Sequence, residues 1–264
     1  MRDIWATALA MALLATGFAT LFASSASAQR GDYSVQRNAR LAASGATSIR
    51  IENGSGRLVI TGKTGASEVA ASAVIRGSSQ STVDAVKLIA ERNGDVITLR
   101  AEAPDRSWLW GDGWSADLTV EVPSNVHLDV SDGSGGARIE NVGALTIRSG
   151  SGGVRMSNVT GAVDVKSGSG GVQVRDIHGD VLLSSGSGSV TIAGITGSVD
   201  IRSAGSGALN ISQVSGSVHL GSIGSGSLTA NGVGGDLTVD HKGSGSVNYA
   251  NVKGHVDVPR RHGW

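Results

Sequence analysis

Cysteine is absent from the 264 residues. That absence removes any disulfide framework, any thiolate metal site and any cysteine for a lipid anchor. Proline occurs only 3 times beside 40 glycines, which excludes both collagen and a proline-rich linker. Aromatic residues make up 3%, so no large aromatic-filled core is available. Excess charge of either sign is missing too, with 22 bases against 22 acids. A balanced chain has no electrostatic reason to seek nucleic acid or an anionic membrane. After the amino terminus no second long apolar run occurs, so no transmembrane segment is expected in the mature chain.

The amino terminus reads as a targeting segment. Ile4 to Ala23 is apolar and uncharged, and Ala26-Ser27-Ala28 matches the small-residue cleavage rule. Residues 1–28 are therefore expected to be a signal peptide, and the chain to be exported to the periplasm, the cell surface or the medium. Residues 29–46 are expected to be a flexible segment, and 259–264 a short tail.

The apolar residues that remain are mostly Val, Ile and Leu, and they recur. Gly-Ser-Gly stands at 133–135, 150–152, 168–170, 186–188, 205–207, 224–226 and 243–245, at intervals of 17 to 19 residues. An eighth copy stands apart at 54–56. Two short alternating apolar runs follow each turn, for example Val154/Met156 and then Val163/Val165. A strand of three to five residues cannot stand alone. Stacked on its equivalent in the next copy, it pairs its backbone along the stack. The pattern predicts an all-β fold, a β-solenoid of two-strand coils over residues 47–258, with about five inward apolar residues per coil. The corner glycines are expected to take positive φ, and the serines to bond the local backbone.

The outward positions fit this register. The middle residues of successive second strands read Asp129, Thr146, Asp164, Leu182, Asp200, His219, Thr238 and Asp257. No two aspartates are neighbours, which avoids like charges facing each other along the stack.

Residues 47–122 read as the start of the solenoid with a cap within 78–116. Strands are expected over Ser48–Glu52, Arg57–Thr61, Glu68–Arg76, Asp95–Ala101 and Asp117–Val122. One amphipathic helix is expected over Ser81–Arg92, with Asn93-Gly94 as its stop. Trp108, Trp110 and Trp114 crowd one loop, which reads either as a plug over the solenoid end or as a docking loop for a partner or sugar.

No catalytic motif is complete in the sequence. No Gly-x-Gly-x-x-Gly is completed, and Gly62-Lys63-Thr64 lacks the earlier glycine of a phosphate loop, Arg57 standing there instead. No serine sits in a Gly-x-Ser-x-Gly elbow. The six histidines fall at unrelated repeat positions. Calcium β-rolls need aspartate in their turns, whereas serine is central in these. No catalytic, cofactor-binding or metal-binding residues are assigned.

The assembled order resembles a bacterial adhesin-like family of β-strand-repeat proteins of unknown function. The resemblance rests on Ile49-Arg50-Ile51-Glu52-Asn53-Gly54-Ser55-Gly56, on Val83 to Leu99, and on Leu118-Thr119-Val120-Glu121-Val122-Pro123 leading into the Gly-Ser-Gly ladder. It implies an exported, adhesin-like β-solenoid with no catalytic residues to carry over. The leading reading is a non-enzymatic envelope or secreted scaffold that binds through its surface; its partner is unknown from the sequence, with envelope polysaccharide or protein as the candidates. A polysaccharide-active β-helix enzyme and a calcium-dependent β-roll are the alternatives. An enzyme needs clustered acids and bases, and the outward Arg138, Arg155 and Arg175 face no carboxylate cluster. The later coils instead present Thr191, Asn210, Thr229 and Asn248 in a row, an uncharged strip that is the candidate contact surface.

Overall fold

A computed structural model describes Ala23–Ser24 and residues 33–103 and 113–259. The chain forms a β-solenoid whose coils contribute one strand to each of two facing sheets, of twelve and eleven strands. In one representative coil Val154–Val159 lies in the first sheet and Val163–Ser167 in the second. Each strand pairs in parallel with its equivalent in the coils before and after. The core fills the space between the sheets. Val154, Met156, Val159, Val163 and Val165 are all buried, at 3% exposure or less. Burying such side chains contributes ~1.5–3 kcal/mol each relative to leaving them exposed. No single coil could fold alone, because each sheet face closes only against its neighbours.

The repeat length follows from two local insertions. Val142 and Leu145 are separated by two residues at the first corner, whereas Val159 and Val163 are separated by three. From Val199–Ala204 onward the second strand gains a residue, and the register against Val181–Ser185 shifts after Leu183. The core positions stay aligned through both changes, so the stack tolerates intervals of 17, 18 and 19.

The corner glycines differ from expectation in their physical reason. Among the seven consecutive Gly-Ser-Gly turns none of the glycines has φ in the left-handed region. They are required because the coils approach too closely for a Cβ. A Cβ on Gly152 would sit 1.4 Å from the Gly135 carbonyl oxygen, and one on Gly150 would sit 2.6 Å from that of Gly133. The serines between them extend the backbone ladder around the corner: Ser151 N–H donates to the Gly133 carbonyl at 3.0 Å.

Positive φ lies elsewhere in the coil. Asn141, Asn158, Asp176, Gly194, Gln213, Gly232 and Asn251 all have φ between 54° and 75°. Each immediately precedes the third inward apolar residue of its first strand. Asn and Asp tolerate this conformation better than other side chains, and Gly tolerates it without strain. The left-handed residue drops out of the ladder and turns the strand toward the corner, so that Val142 and Val159 realign after it.

The amino-terminal region closes one end of the stack. Ser48–Asn53 and Leu58–Lys63 form a coil that inserts between the cap and the regular repeats. The isolated Gly54-Ser55-Gly56 therefore stacks directly under Gly133-Ser134-Gly135, with Ser134 N–H donating to the Gly54 carbonyl at 3.1 Å. The expected strands all form, as Ser48–Asn53, Leu58–Lys63, Glu68–Gly77, Val96–Glu102 and Trp114–Pro123.

Two expectations for the cap are corrected. The helix is only Gln80–Ala85, started by Ser79 accepting from Thr82 N–H at 3.1 Å. Lys87–Asn93 is instead a strand, antiparallel to Val96–Glu102. Asn93-Gly94 is a hairpin signal here, since Gly94 at φ +62° opens the two-residue turn. Residues 29–46 also contain a ten-residue strand, Tyr33–Ala42, antiparallel to Glu68–Gly77. Tyr33, Val35, Ala39 and Leu41 alternate along it, but Arg37 interrupts the apolar row; Arg37 anchors the strand by donating to the Asp84 and Val86 carbonyls at 2.9 and 2.8 Å, at the end of the helix.

The expected signal segment, 1–28, lies outside the described residues except Ala23–Ser24, which pairs with Gln36 and Arg37. The tail beyond Pro259 lies outside them as well. At that far end of the stack the inward Tyr249 is 53% exposed. No helix among the described residues is long and apolar enough to cross a membrane.

Candidate functional site

The first sheet presents the strip read from the sequence. Thr191, Asn210, Thr229 and Asn248 stand in direct register on four consecutive strands. Ala193, Ser212, Asn231 and Ala250 form the parallel row two residues on. Asn210, Thr229 and Asn248 are exposed and Thr191 is half-buried. Neither row carries a charge. Toward the cap the same two rows become charged, with Arg138 beside Arg155, and Arg138 held to Glu140 at 2.7 Å. Asn231 is partly occupied, since its side-chain oxygen accepts from Asn251 at 2.8 Å.

The tryptophans separate. Trp108 and Trp110 lie outside the described residues. Trp114 begins the strand Trp114–Pro123 and packs partly buried against the core, while its carbonyl accepts from the Ser55 hydroxyl at 2.9 Å.

The second sheet carries two charged rows. The predicted ladder from Asp129 to Asp257 is in register throughout. Asp129 is held by Arg148 at 2.9 Å and Arg50 at 3.5 Å. His219 bridges Asp240 at 3.0 Å and Asp200 at 3.2 Å. The Asp240 hydrogen bond, aided by the one to Asp200, holds the His219 imidazole above the ordinary histidine range, with burial opposing.

A groove that sequence reading missed runs along this sheet beside the Gly-Ser-Gly corners. It is shallow and open to solvent, with a volume of about 910 Å³. One outward position of the second strands lines it, with Ser131, Arg148, Lys166 and Ser184 in register. Alternation does signal that these residues face outward, but nothing in a linear pattern says that the corner glycines lie beside them along one depression.

Beneath the groove lies a buried polar row. Asn53 donates to the Gly56 carbonyl at 2.9 Å, Ser149 to Gly152 at 3.1 Å and Ser167 to Gly170 at 3.2 Å. Asp132 occupies the same position. It is 3% exposed, and its Oδ2 has no hydrogen-bond partner. Burial raises its carboxyl above the usual carboxylate range, opposed by the Asn53 hydrogen bond.

For metal chemistry, no three His, Asp or Glu side chains converge among the described residues.

The profile of the family described as Toastrack DUF4097 matches residues 46–261. The chain belongs to this family. The Toastrack match begins just before Ser48–Asn53 and so includes the inserted coil, the cap and every regular repeat. Among solved structures, the Toastrack chain is similar to a protein from Bacteroides fragilis described as a "putative adhesin". The two share 16% identity, with a TM-score of 0.50, over 84% of this chain and 96% of the other. A "putative cell adhesion protein" from Clostridium sporogenes aligns at 12% identity over 83% of this chain and 98% of its own, with a TM-score of 0.28. At these identities the first likeness shows the fold alone. No curated protein matches the chain.

Proposed function

We propose that this Toastrack chain is an exported, non-catalytic, adhesin-like protein that binds a flat partner through the uncharged strip of its first sheet. The observation that carries the reading is the in-register row Thr191, Asn210, Thr229 and Asn248. Four small polar side chains repeat at the strand spacing of ~4.8 Å on a backbone that cannot shift independently of its neighbours. Such a row costs little to desolvate and offers donors and acceptors at a fixed pitch, which suits a sugar chain or another flat sheet. Envelope polysaccharide is the partner class it fits best. The adhesin description of the Bacteroides fragilis structure agrees with a binding role.

Export is part of the proposal. It rests on the apolar run Ile4 to Ala23 and on Ala26-Ser27-Ala28. Cleavage after Ala28 would remove the two-residue edge strand Ala23–Ser24 from the twelve-stranded sheet and leave Tyr33–Ala42 as its edge.

The test is the double variant Thr229→Glu, Asn248→Glu, assayed for binding to whole cells and to a glycan array. Melting should be nearly unchanged, because both sites face water, and binding should fall. Binding that survives the double variant but is lost on Trp110→Ala, Trp114→Ala in a folded protein would move the site to the tryptophan loop.

A further inference from the structure

The groove on the second sheet lies on the opposite side of the stack from the strip, and its charges are arranged differently. Ser131, Arg148, Lys166, Ser184 and Ser203 follow one another on five consecutive rungs. The row spans about 19 Å at the strand spacing of ~4.8 Å. Arg148 and Lys166 are direct neighbours, an arrangement that repels unless an anion offsets it. The structure supplies less than one carboxylate for the pair. Asp129 is shared between Arg148 and Arg50, and Lys166 makes no ion pair among the described residues. Lys166 is exposed.

Two carboxylates also line the groove. Glu52 lies on the rung before Ser131, two rungs from Arg148, beside the cap. Asp132 is buried beneath the floor. Arg100 lines the groove as well, on the rung beyond Glu52, where Glu91 and Glu102 neutralise it. The unneutralised basic stretch is thus confined to the middle rungs, with hydroxyls beyond it. A further feature marks the same place. The register shift after Leu183 makes Ser184 pair with Ser203 and pushes Arg202 out of the ladder at the groove's far end. Bulges of this kind are concentrated beside binding sites, where they re-aim a side chain.

We propose that this groove binds a linear, sparsely carboxylated polysaccharide, with one uronate carboxylate seated between Arg148 and Lys166 and neighbouring sugar hydroxyls on Ser131, Ser184 and Ser203. The charge density decides between polyanions. Two adjacent cations flanked by hydroxyl rungs match a chain of sugars with an occasional carboxylate. A nucleic acid, with its dense phosphate charge, would leave most of its charge unmatched. A pyranose unit of an extended chain covers about one rung. The inference rests on the glycan-binding reading but not on the strip, which lies on the other sheet.

The experiment is calorimetric titration of the full mature chain with hyaluronate, in which every second sugar carries a carboxylate, with neutral dextran and with single-stranded DNA as comparison probes. Hyaluronate is expected to bind, and to bind more weakly as salt rises. Lys166→Gln is expected to weaken it roughly tenfold with melting unchanged, as loss of one charge-assisted contact does. Arg148→Gln is expected to weaken it similarly. Thr229→Glu, Asn248→Glu is expected to leave hyaluronate affinity alone, so failure of the strip and failure of the groove are separable. The proposal is overturned if hyaluronate does not bind, if Lys166→Gln binds it as tightly as the parent, or if DNA binds equally well.

Discussion

Asn53 donates its side-chain amide to Asp132 Oδ1 at 3.1 Å, across 79 residues of sequence, inside the corner where the isolated glycine turn meets the first regular one. At equivalent positions in that row Asn53, Ser149, Ser167 and Lys242 each donate to the carbonyl three residues on. Asp132 can donate there only when protonated.

That position makes a pH prediction. Asp132 has a folded-state pKa raised above its unfolded value of ~3.9. Its contribution is therefore fully present below that unfolded value and is lost as pH rises through the folded value. Asp132→Asn supplies a permanent donor. The variant should melt above the parent at pH 7, and the gap should close as pH falls below about 4. Melting curves across that range check it, and a variant that melts lower at pH 7 would refute the donor role.

His219 titrates with the opposite physical setting. Its folded pKa is raised by Asp240 and Asp200, so the stability it adds is full below ~6.5 and fades as pH rises through the folded value. The ring is 45% exposed, so solvent screens the pair and the gain stays below ~1 kcal/mol. Proton NMR should place its midpoint above ~6.5, and Asp240→Asn should move the midpoint down.

Neighbouring residues on one strand should respond oppositely. Val165 is fully buried, so Val165→Asp places an unpaired carboxylate between coils and should cost several kcal/mol. Asp164 faces outward, and Asp164→Ala should cost less than ~0.5 kcal/mol. Equal shifts in chemical denaturation would contradict the alternation.

Adjacent glycines should also divide. Gly152→Ala drives a Cβ into the Gly135 carbonyl and should destabilise by at least ~2 kcal/mol. At Gly153 the nearest atom to an added Cβ is 3.6 Å away, so Gly153→Ala should be neutral or stabilising by up to ~1 kcal/mol. Thermal melts of the two variants decide it.

Calcium should leave folding unchanged, because serine at the turn centres supplies no anionic ligand. A circular-dichroism spectrum that converts from disordered to β on adding millimolar calcium would contradict this.

The repeat was legible in the linear order because each coil carries its own period. Val154, Met156, Val159, Val163 and Val165 announce their inward faces by spacing alone, and the Asp129 to Asp257 row follows from counting. The left-handed row from Asn141 to Asn251 was equally present as an Asn, Asp, Gly or Gln before the third apolar residue, and it marks the corner. What spacing could not supply was any relation between parts of the chain that do not repeat. Only the tertiary structure places Gly54-Ser55-Gly56 under Gly133-Ser134-Gly135, turns Lys87–Asn93 into a strand and orders Tyr33–Ala42. The reason is that a short segment with weak local preference takes its conformation from whichever sheet edge accepts it. The same holds for the corner glycines. Their abundance is written in the sequence, but the need for them arises from one coil's carbonyl lying against the next coil's α-carbon, a contact that exists only once the coils are stacked.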